Sequence, residues 1–399
     1  MKVIVLVLFA LLQSLGLCAW CATPTFHDCV ATVTETHEGQ QLGQSSEFEK
    51  TKAKADKKKK ASTHRGTIVA APLPIASPAI GTGIIPAIGY IFPLSKNDKI
   101  SPPSTVGGAG LITNNGSSGF GLGGELFMKE NRYAFSSLYV RGNVNYDLYG
   151  IGTSAGNGTL KVPLDQTGQV YLGEALRRIP WQFFIGPRFW SGNSVVAVRP
   201  SSNETEAPPP ADTGLHTTLR ALGFRVVRDT RPNHFYPTAG MFTQFTADFF
   251  TKAIGSKYSF QAYRFSFNKY GTVAKNQVLA YNLYVCGTGG DPPFYGNCIY
   301  GTNNELRGYA AGRYIDRYMI ATQVEYRLSL PKGFGLAAFG GLGEVIPGGK
   351  EIFRANNVLP SIGGGPRYAL SKKYHVNLRA DFARGKDSWT WSMGVGEAF

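Results

Sequence analysis

The sequence predicts an all-β fold, a transmembrane antiparallel β-barrel of about sixteen strands, and three observations carry that prediction. Apolar and polar residues alternate with a period of two in short runs from Gly66 to the chain end. After Ala22 no stretch reaches the roughly 18–20 uninterrupted apolar residues that a membrane helix needs. The 399 residues also include 49 Gly, 20 Tyr and 25 Phe. A transmembrane barrel uses all three residue types, with glycine at crowded strand crossings and aromatics at the two membrane interfaces.

At the N-terminus, Met1-Lys2 is followed by an apolar run from Val3 to Leu12 and then by small and turn-forming residues, the anatomy of a signal peptide over 1–21. Cleavage after Ala19 or Cys21 fits the small-residue preference. Leu17 and Trp20 give Cys18 and Cys21 a poor lipidation context. Residues 22–65 are rich in Thr, Glu, Gln and Lys and read as a disordered basic tail, expected in the periplasm. Its lysine run ends in Lys57-Lys58-Lys59-Lys60, a solvated arm whose functional alternative is an anionic lipid or cell-wall surface. The net charge of +15 does not point to nucleic acid, because the basic residues are otherwise dispersed.

From 66 to 399 the chain reads as one domain. Strands are expected near 66–75, 81–94, 104–114, 117–128, 133–146, 166–177, 182–198, 215–229, 239–252, 258–271, 276–286, 316–330, 333–346, 361–371, 374–384 and 388–399. Short turns, such as Lys129-Glu130-Asn131 and Pro331-Lys332, alternate with long connections at 147–165, 199–214, 287–315 and 347–360. Short periplasmic turns and long external loops are the rule for outer-membrane barrels. The clearest strand sets Tyr318, Ile320, Thr322, Val324, Tyr326 and Leu328 against Met319, Ala321, Gln323, Glu325 and Arg327.

A soluble sandwich would bury that apolar face, whereas a barrel turns it to lipid and lines its lumen with the polar one. Inward charges recur at matching depth on the last strands, with Glu325 and Arg327, then Arg367, then Arg379 and Asp381. The final run is aromatic and ends on Phe399, the terminal signature that serves outer-membrane proteins as a targeting signal. Both favour the barrel.

Leu306-Arg307-Gly308-Tyr309, in the longest late connection, resembles the [VI]RG[FY] motif of the BamA/TamA superfamily, the bacterial surface antigen barrels. The resemblance implies a loop folded back into the barrel, its arginine held by acidic residues of the lumen wall. A guanidinium in a confined polar space is best satisfied by a carboxylate. The family's acceptor lies in an F-x-D-x-G strand, here Phe339-Gly340-Gly341-Leu342-Gly343. Gly341 stands in the aspartate's place, so Glu325 and Asp381 are the expected partners; the alternative is that Arg307 only caps a loop. Gly223-Phe224-Arg225 through Pro237-Thr238-Ala239-Gly240 is similar to a second family segment ending in P-x-x-G, with Pro232 where aspartate is common. Gly363 to Phe399 is similar to its C-terminal repeat. Members that insert barrels or secrete proteins carry periplasmic POTRA domains of about 75 residues, and 22–65 is too short for one.

Cys286 and Cys298 flank a Gly/Pro-rich excursion in the same connection as Arg307, and an exported chain makes them an expected disulfide. Cys29 has no evident partner. Gly119-x-Gly121-x-x-Gly124 matches a dinucleotide fingerprint formally but lies within an alternating strand. The six histidines show no metal spacing and no G-x-S-x-G elbow occurs, so neither catalytic residues, cofactor nor metal is expected.

The resemblance places the chain in the outer membrane of a Gram-negative-type bacterium. Its partners there would be membrane lipids, lipopolysaccharide and, during biogenesis, the barrel assembly machinery. Two functions follow. One is a pore or translocation protein gated by the Arg307 loop, with a weak seam between first and last strands and a basic lumen (Arg188, Arg327, Arg367, Arg379) suited to anionic solutes or a polypeptide. The other is a plugged structural or surface-antigen barrel. An insertase role is the lesser alternative.

Overall fold

The computed structural model describes residues 66–399 apart from 96, 99, 153–160, 200–213, 302–304, 347–356, 372–374 and 387. The signal peptide, the basic tail and Cys29 lie outside the described residues.

Sixteen antiparallel strands close into one barrel. In order they are β1 (Thr67–Ser77), β2 (Gly81–Phe92), β3 (Ser104–Thr113), β4 (Ser118–Met128), β5 (Tyr133–Leu148), β6 (Val162–Arg178), β7 (Phe183–Val198), β8 (Leu215–Asp229), β9 (Gly240–Phe250), β10 (Phe260–Ala274), β11 (Gln277–Gly290), β14 (Tyr318–Ser329), β15 (Phe334–Ile346), β16 (Leu359–Ser371), β17 (Val376–Arg384) and β18 (Trp389–Val395). Between β11 and β14, β12 (Cys298–Ile299) and β13 (Ile315–Asp316) pair as a small ladder that the alternation did not predict. A closed sheet pairs ladder N–H and C=O groups between neighbouring strands, which hydrocarbon demands, and here that pairing thins at the β1–β18 seam and skips briefly between β2 and β3.

Outward positions are apolar and exposed. Ile68, Ile88, Leu122, Tyr326, Leu336, Ile362 and Phe382 all face away from the lumen, an unstable surface in water but the expected one in lipid. At one end most connections are short turns, the β2–β3 and β8–β9 connections excepted, and every described non-glycine residue with a left-handed backbone sits in one of the short turns, from Lys129 to His375. Such turns match the right-handed twist of paired strands.

The barrel closes weakly. β1 pairs with β2 over eleven residues but with β18 through Ala76↔Met393 alone. Proline explains the asymmetry. Pro72 lies opposite Pro86, and because neither has an N–H, the two cannot form a hydrogen-bonded pair. The antiparallel alternation then puts the missing donors of Pro72 and Pro74 on the edge of β1 that faces β18. It puts that of Pro86 on the edge facing β3, where the register skips from Ile84 to Ala87.

Two sequence expectations are corrected. The last strand ends at Val395 rather than at Phe399, because Gly396 adopts φ 88° and turns Glu397–Phe399 into the barrel. Nor is the lumen wall polar throughout. Leu73, Ile75, Ile85, Leu111, Leu138, Val140 and Leu172 point inward, in one apolar cluster with Tyr295, Ile299, Ala311 and Ile315 of the β11–β14 connection. Burial of apolar surface thus fills much of the interior.

Candidate functional site: an arginine-pinned loop inside the barrel

The connection between β11 and β14 folds back into the lumen and is tied to the wall at two points. The first is covalent: inward-facing Cys286 of β11 is bonded to Cys298, with Cα atoms 5.9 Å apart. The second is the Leu306–Tyr309 segment, and each of its four residues has a separate task.

Leu306 is fully buried over a track of glycines on β15. A Cβ at Gly341 would lie 2.6 Å from Gln323 Cγ and 2.9 Å from Leu306 Cδ1, and one at Gly343 would lie 3.0 Å from Leu306 Cδ2. An aspartate at 341 therefore competes with Leu306 for the same space. Gly308 has φ 103°, and a Cβ there would sit 2.8 Å from Gly385 N, so only glycine lets the loop approach the β17–β18 turn. Tyr309 Oη donates to Pro360 O at 2.6 Å and accepts from Lys386 N at 3.1 Å. Beside it, burial pushes the Tyr300 phenol well above its ordinary value, and it donates to the carbonyls of Ile320 and Glu344.

Arg307 is the centre of the arrangement. Its Nη1 lies 2.6 Å from Glu325 Oε2 and 3.0 Å from Asp381 Oδ2, its Nε donates to Gln323 Oε1 at 3.2 Å, and its guanidinium lies 3.4 Å from the Phe339 ring centre. Its own carbonyl accepts from the Ser361 hydroxyl. The same two carboxylates bind the wall guanidiniums: Arg327 Nε is 2.6 Å from Glu325, and Arg367 and Arg379 are 2.7 and 2.9 Å from Asp381. Every one of these charged groups is buried. The residues singled out in the sequence, Glu325, Arg327, Arg367, Arg379 and Asp381, thus meet around Arg307.

Alternation along strands did not reveal three further parts. Glu397, delivered by the Gly396 turn, binds Arg367 Nε at 2.8 Å and lies 3.8 Å from Arg327. Beyond it, the Phe399 carbonyl accepts from Arg327 Nη2 at 2.9 Å, so the chain end lies inside the barrel. The segment between β8 and β9 also folds inward. There Tyr236 Oη meets Ser329 Oγ at 2.9 Å, Phe235 O accepts from Glu397 N, and Asp229 holds Arg231 at 2.6 Å and His234 at 3.1 Å. On the opposite wall, Arg188 of β7 lies 3.2 Å from Glu174 and 3.0 Å from Asp248, with Arg225 and Arg264 on the same two carboxylates. The basic lumen expected from Arg188, Arg327, Arg367 and Arg379 is therefore corrected: each of these guanidiniums is paired.

Fold and loop together define an outer-membrane type of β-barrel whose lumen is occupied by its own inward-folded segments. The model of the Omp85 superfamily domain matches residues 114–396, and the chain belongs to that superfamily. Among solved structures it is similar to BamA from Haemophilus ducreyi lacking POTRA domains 1–3 (TM-score 0.55, 13% identity, 83% of this chain and 70% of that one). It is also similar to CdiB from Acinetobacter baumannii (0.53, 12%, 83% and 59%) and CdiB from Escherichia coli (0.52, 9%, 84% and 68%). At such identities the likeness is one of fold, and the chain spans 59% to 70% of the length of these structures. No curated protein sequence matches it. No POTRA domain occurs among the described residues, which form the barrel and its connections.

Proposed function

We propose that the protein is a pore or translocation barrel of the outer membrane, with short turns on the periplasmic side, and that the Arg307 loop is its gate. One observation carries the reading: the loop has a permanent and a releasable attachment. The Cys286–Cys298 bond tethers its first part to β11, while its second part is held by ion pairs to β14 and β17 over a glycine track. A segment tied this way can swing without leaving. With Arg307 withdrawn, Arg327, Arg367 and Arg379 face Glu325, Asp381 and Glu397, three cations against three carboxylates. With Arg188, Arg225 and Arg264 against Glu174 and Asp248 on the opposite wall, six guanidiniums meet five carboxylates, which supports a polar path with only a weak preference for anions.

Planar-bilayer conductance tests the gate. Wild-type protein is expected to be mostly closed, and Arg307→Ala or reduction of Cys286–Cys298 to raise conductance. The second reading, a plugged structural barrel, is supported by the further closure from the β8–β9 segment and Glu397–Phe399. If neither wild type nor variants conduct or translocate anything, that reading replaces the first. The insertase reading predicts faster folding of another barrel into liposomes.

A further inference from the structure

A strand position that faces lipid is normally apolar, yet the outer face of β4–β8 changes character abruptly along its length. The paired row Gly124–Ser137–Gly173 crosses three neighbouring strands. Its small side chains leave a notch between the larger row Leu122–Tyr139–Tyr171 and, on the other side, Leu126–Phe135–Ala175. The resulting apolar cavity is about 710 Å³ and extends to Phe189 and Leu222.

One row beyond Tyr139, toward the end that carries the long connections, the outward residues become Arg141, Gln169, Asn193 and Thr218 in direct register. They line a second cavity of about 580 Å³, together with Thr167, His216 and Lys257. Lys257 comes from the β9–β10 connection, which runs along the edge of β8 beyond its pairing with β9: its N–H donates to Thr218 O at 2.7 Å and its Nζ to His216 O at 2.6 Å. The two cavities adjoin at Tyr139, whose hydroxyl donates to Gln169 Oε1 at 2.9 Å. Nearer the rim, Asp165 accepts from Asn143 Nδ2 at 3.0 Å, so that carboxylate is already engaged.

We propose that the outer face of β4–β8 is a binding site for one phosphorylated glycolipid of the outer leaflet, with an acyl chain in the Gly124–Ser137–Gly173 notch and a headgroup phosphate in the pocket lined by Arg141 and Lys257. An apolar notch separated from a polar pocket by the single row Leu122–Tyr139–Tyr171 calls for an amphiphile. Two exposed cations with amide and hydroxyl neighbours call for an anionic, oxygen-rich head. The position at the long-connection end selects the outer leaflet, which rests on the orientation proposed above. The site lies outside the lumen, so it is independent of whether the loop gates.

The test uses the full chain in detergent, titrated with bis-phosphorylated lipid A and followed by mass spectrometry of intact complexes. One lipid per chain is expected, with affinity at least about tenfold weaker for the dephosphorylated form. Arg141→Glu with Lys257→Glu should weaken binding by a similar factor, and Ser137→Leu, which fills the notch, should do so without altering charge. Arg141→Lys should retain most of it. Equal binding of both lipid forms, or charge-reversed protein within about twofold of wild type, would overturn the proposal. So would tighter binding of phosphatidylglycerol, which would make the site one for phospholipid. A gate that fails in bilayers while lipid A still binds would remove the translocation reading and leave this one standing.

Discussion

Asp381→Asn is the most informative single change in the barrel. The wild-type carboxylate receives Arg367 at 2.7 Å, Arg379 at 2.9 Å and Arg307 at 3.0 Å, all in a buried setting. Asparagine keeps the shape and a carbonyl acceptor but removes the charge. Arg307, Arg327 and Arg367 then still share Glu325 and Glu397, whereas Arg379 loses the carboxylate it is paired with. Removing one partner from a buried ion pair costs about 3–5 kcal/mol, because the remaining charge stays desolvated. The least costly response is for the one guanidinium not fixed to the wall, Arg307, to leave. The expected result is an unfolding midpoint lowered by roughly that free energy, and cleavage of the 305–309 segment by added protease. Asp147→Asn is the control: its partner Lys161 lies 3.0 Å away with a side chain 57% exposed, and an exposed pair is worth about 0–1 kcal/mol. If Asp381→Asn costs no more than Asp147→Asn and leaves the segment protected, the carboxylate does not hold the loop.

Replacing Pro72 and Pro74 by valine restores two donors on the edge of β1 that faces β18. At about 0.5–1.5 kcal/mol each, amide exchange in Trp389–Val395 should slow by roughly five- to a hundredfold, and unchanged exchange would mean that the prolines do not limit the seam. Cys286→Ser or reductant frees a loop closed at a separation of 12 residues, and should lower stability by roughly 2–3 kcal/mol in the loop-entropy picture, measured as a reductant-dependent shift in unfolding. In the β2–β3 connection, partial burial pushes the Asp98 carboxyl up, but the Ser101 hydroxyl and the amides of Ser101, Glu130 and Ile100 outweigh it and hold it at about 2. Its contribution is present above the ordinary value of 3.8 and lost as pH falls toward 2. Amide exchange at Ser101 and Glu130 should therefore accelerate across that window, and should not in Asp98→Asn.

The strands were legible because one side of each faces hydrocarbon, which imposes a period of two that turns and charges cannot mask. Glu325 and Asp381 were legible as partners of Arg307 for the same reason: both occupy inward positions of strands near the motif. The inward apolar surface was not. On β1 both faces are greasy, with Ile68 outward and Leu73 and Ile75 inward, so alternation loses its contrast where the lumen is filled by packing. The Glu174–Arg188–Arg225–Asp248–Arg264 lattice draws one residue from each of five strands, and only the register brings them together. Charges at inward mid-strand positions were the available signal, and it was used for Arg188 alone. Glu397 follows a glycine at φ 88°, and no periodicity extends past such a turn.

Glu397 also connects the two features on which function turns. It lies two residues beyond β18, the strand that closes against β1 through a single pair, and it grips Arg367. Arg367 shares Asp381 with Arg307 of the loop. Plug and seam are therefore joined through one carboxylate and one guanidinium, both fixed to the wall by β16 and β17. A change that unbalances this pair acts on both at once, since it alters the charge that holds the loop and the charge that anchors the end of the last strand. Asp381→Asn should then increase exchange at 305–309 and at 389–397 together, whereas loss of the disulfide should affect the loop alone. If the two regions respond independently, they are neighbours in space and nothing more.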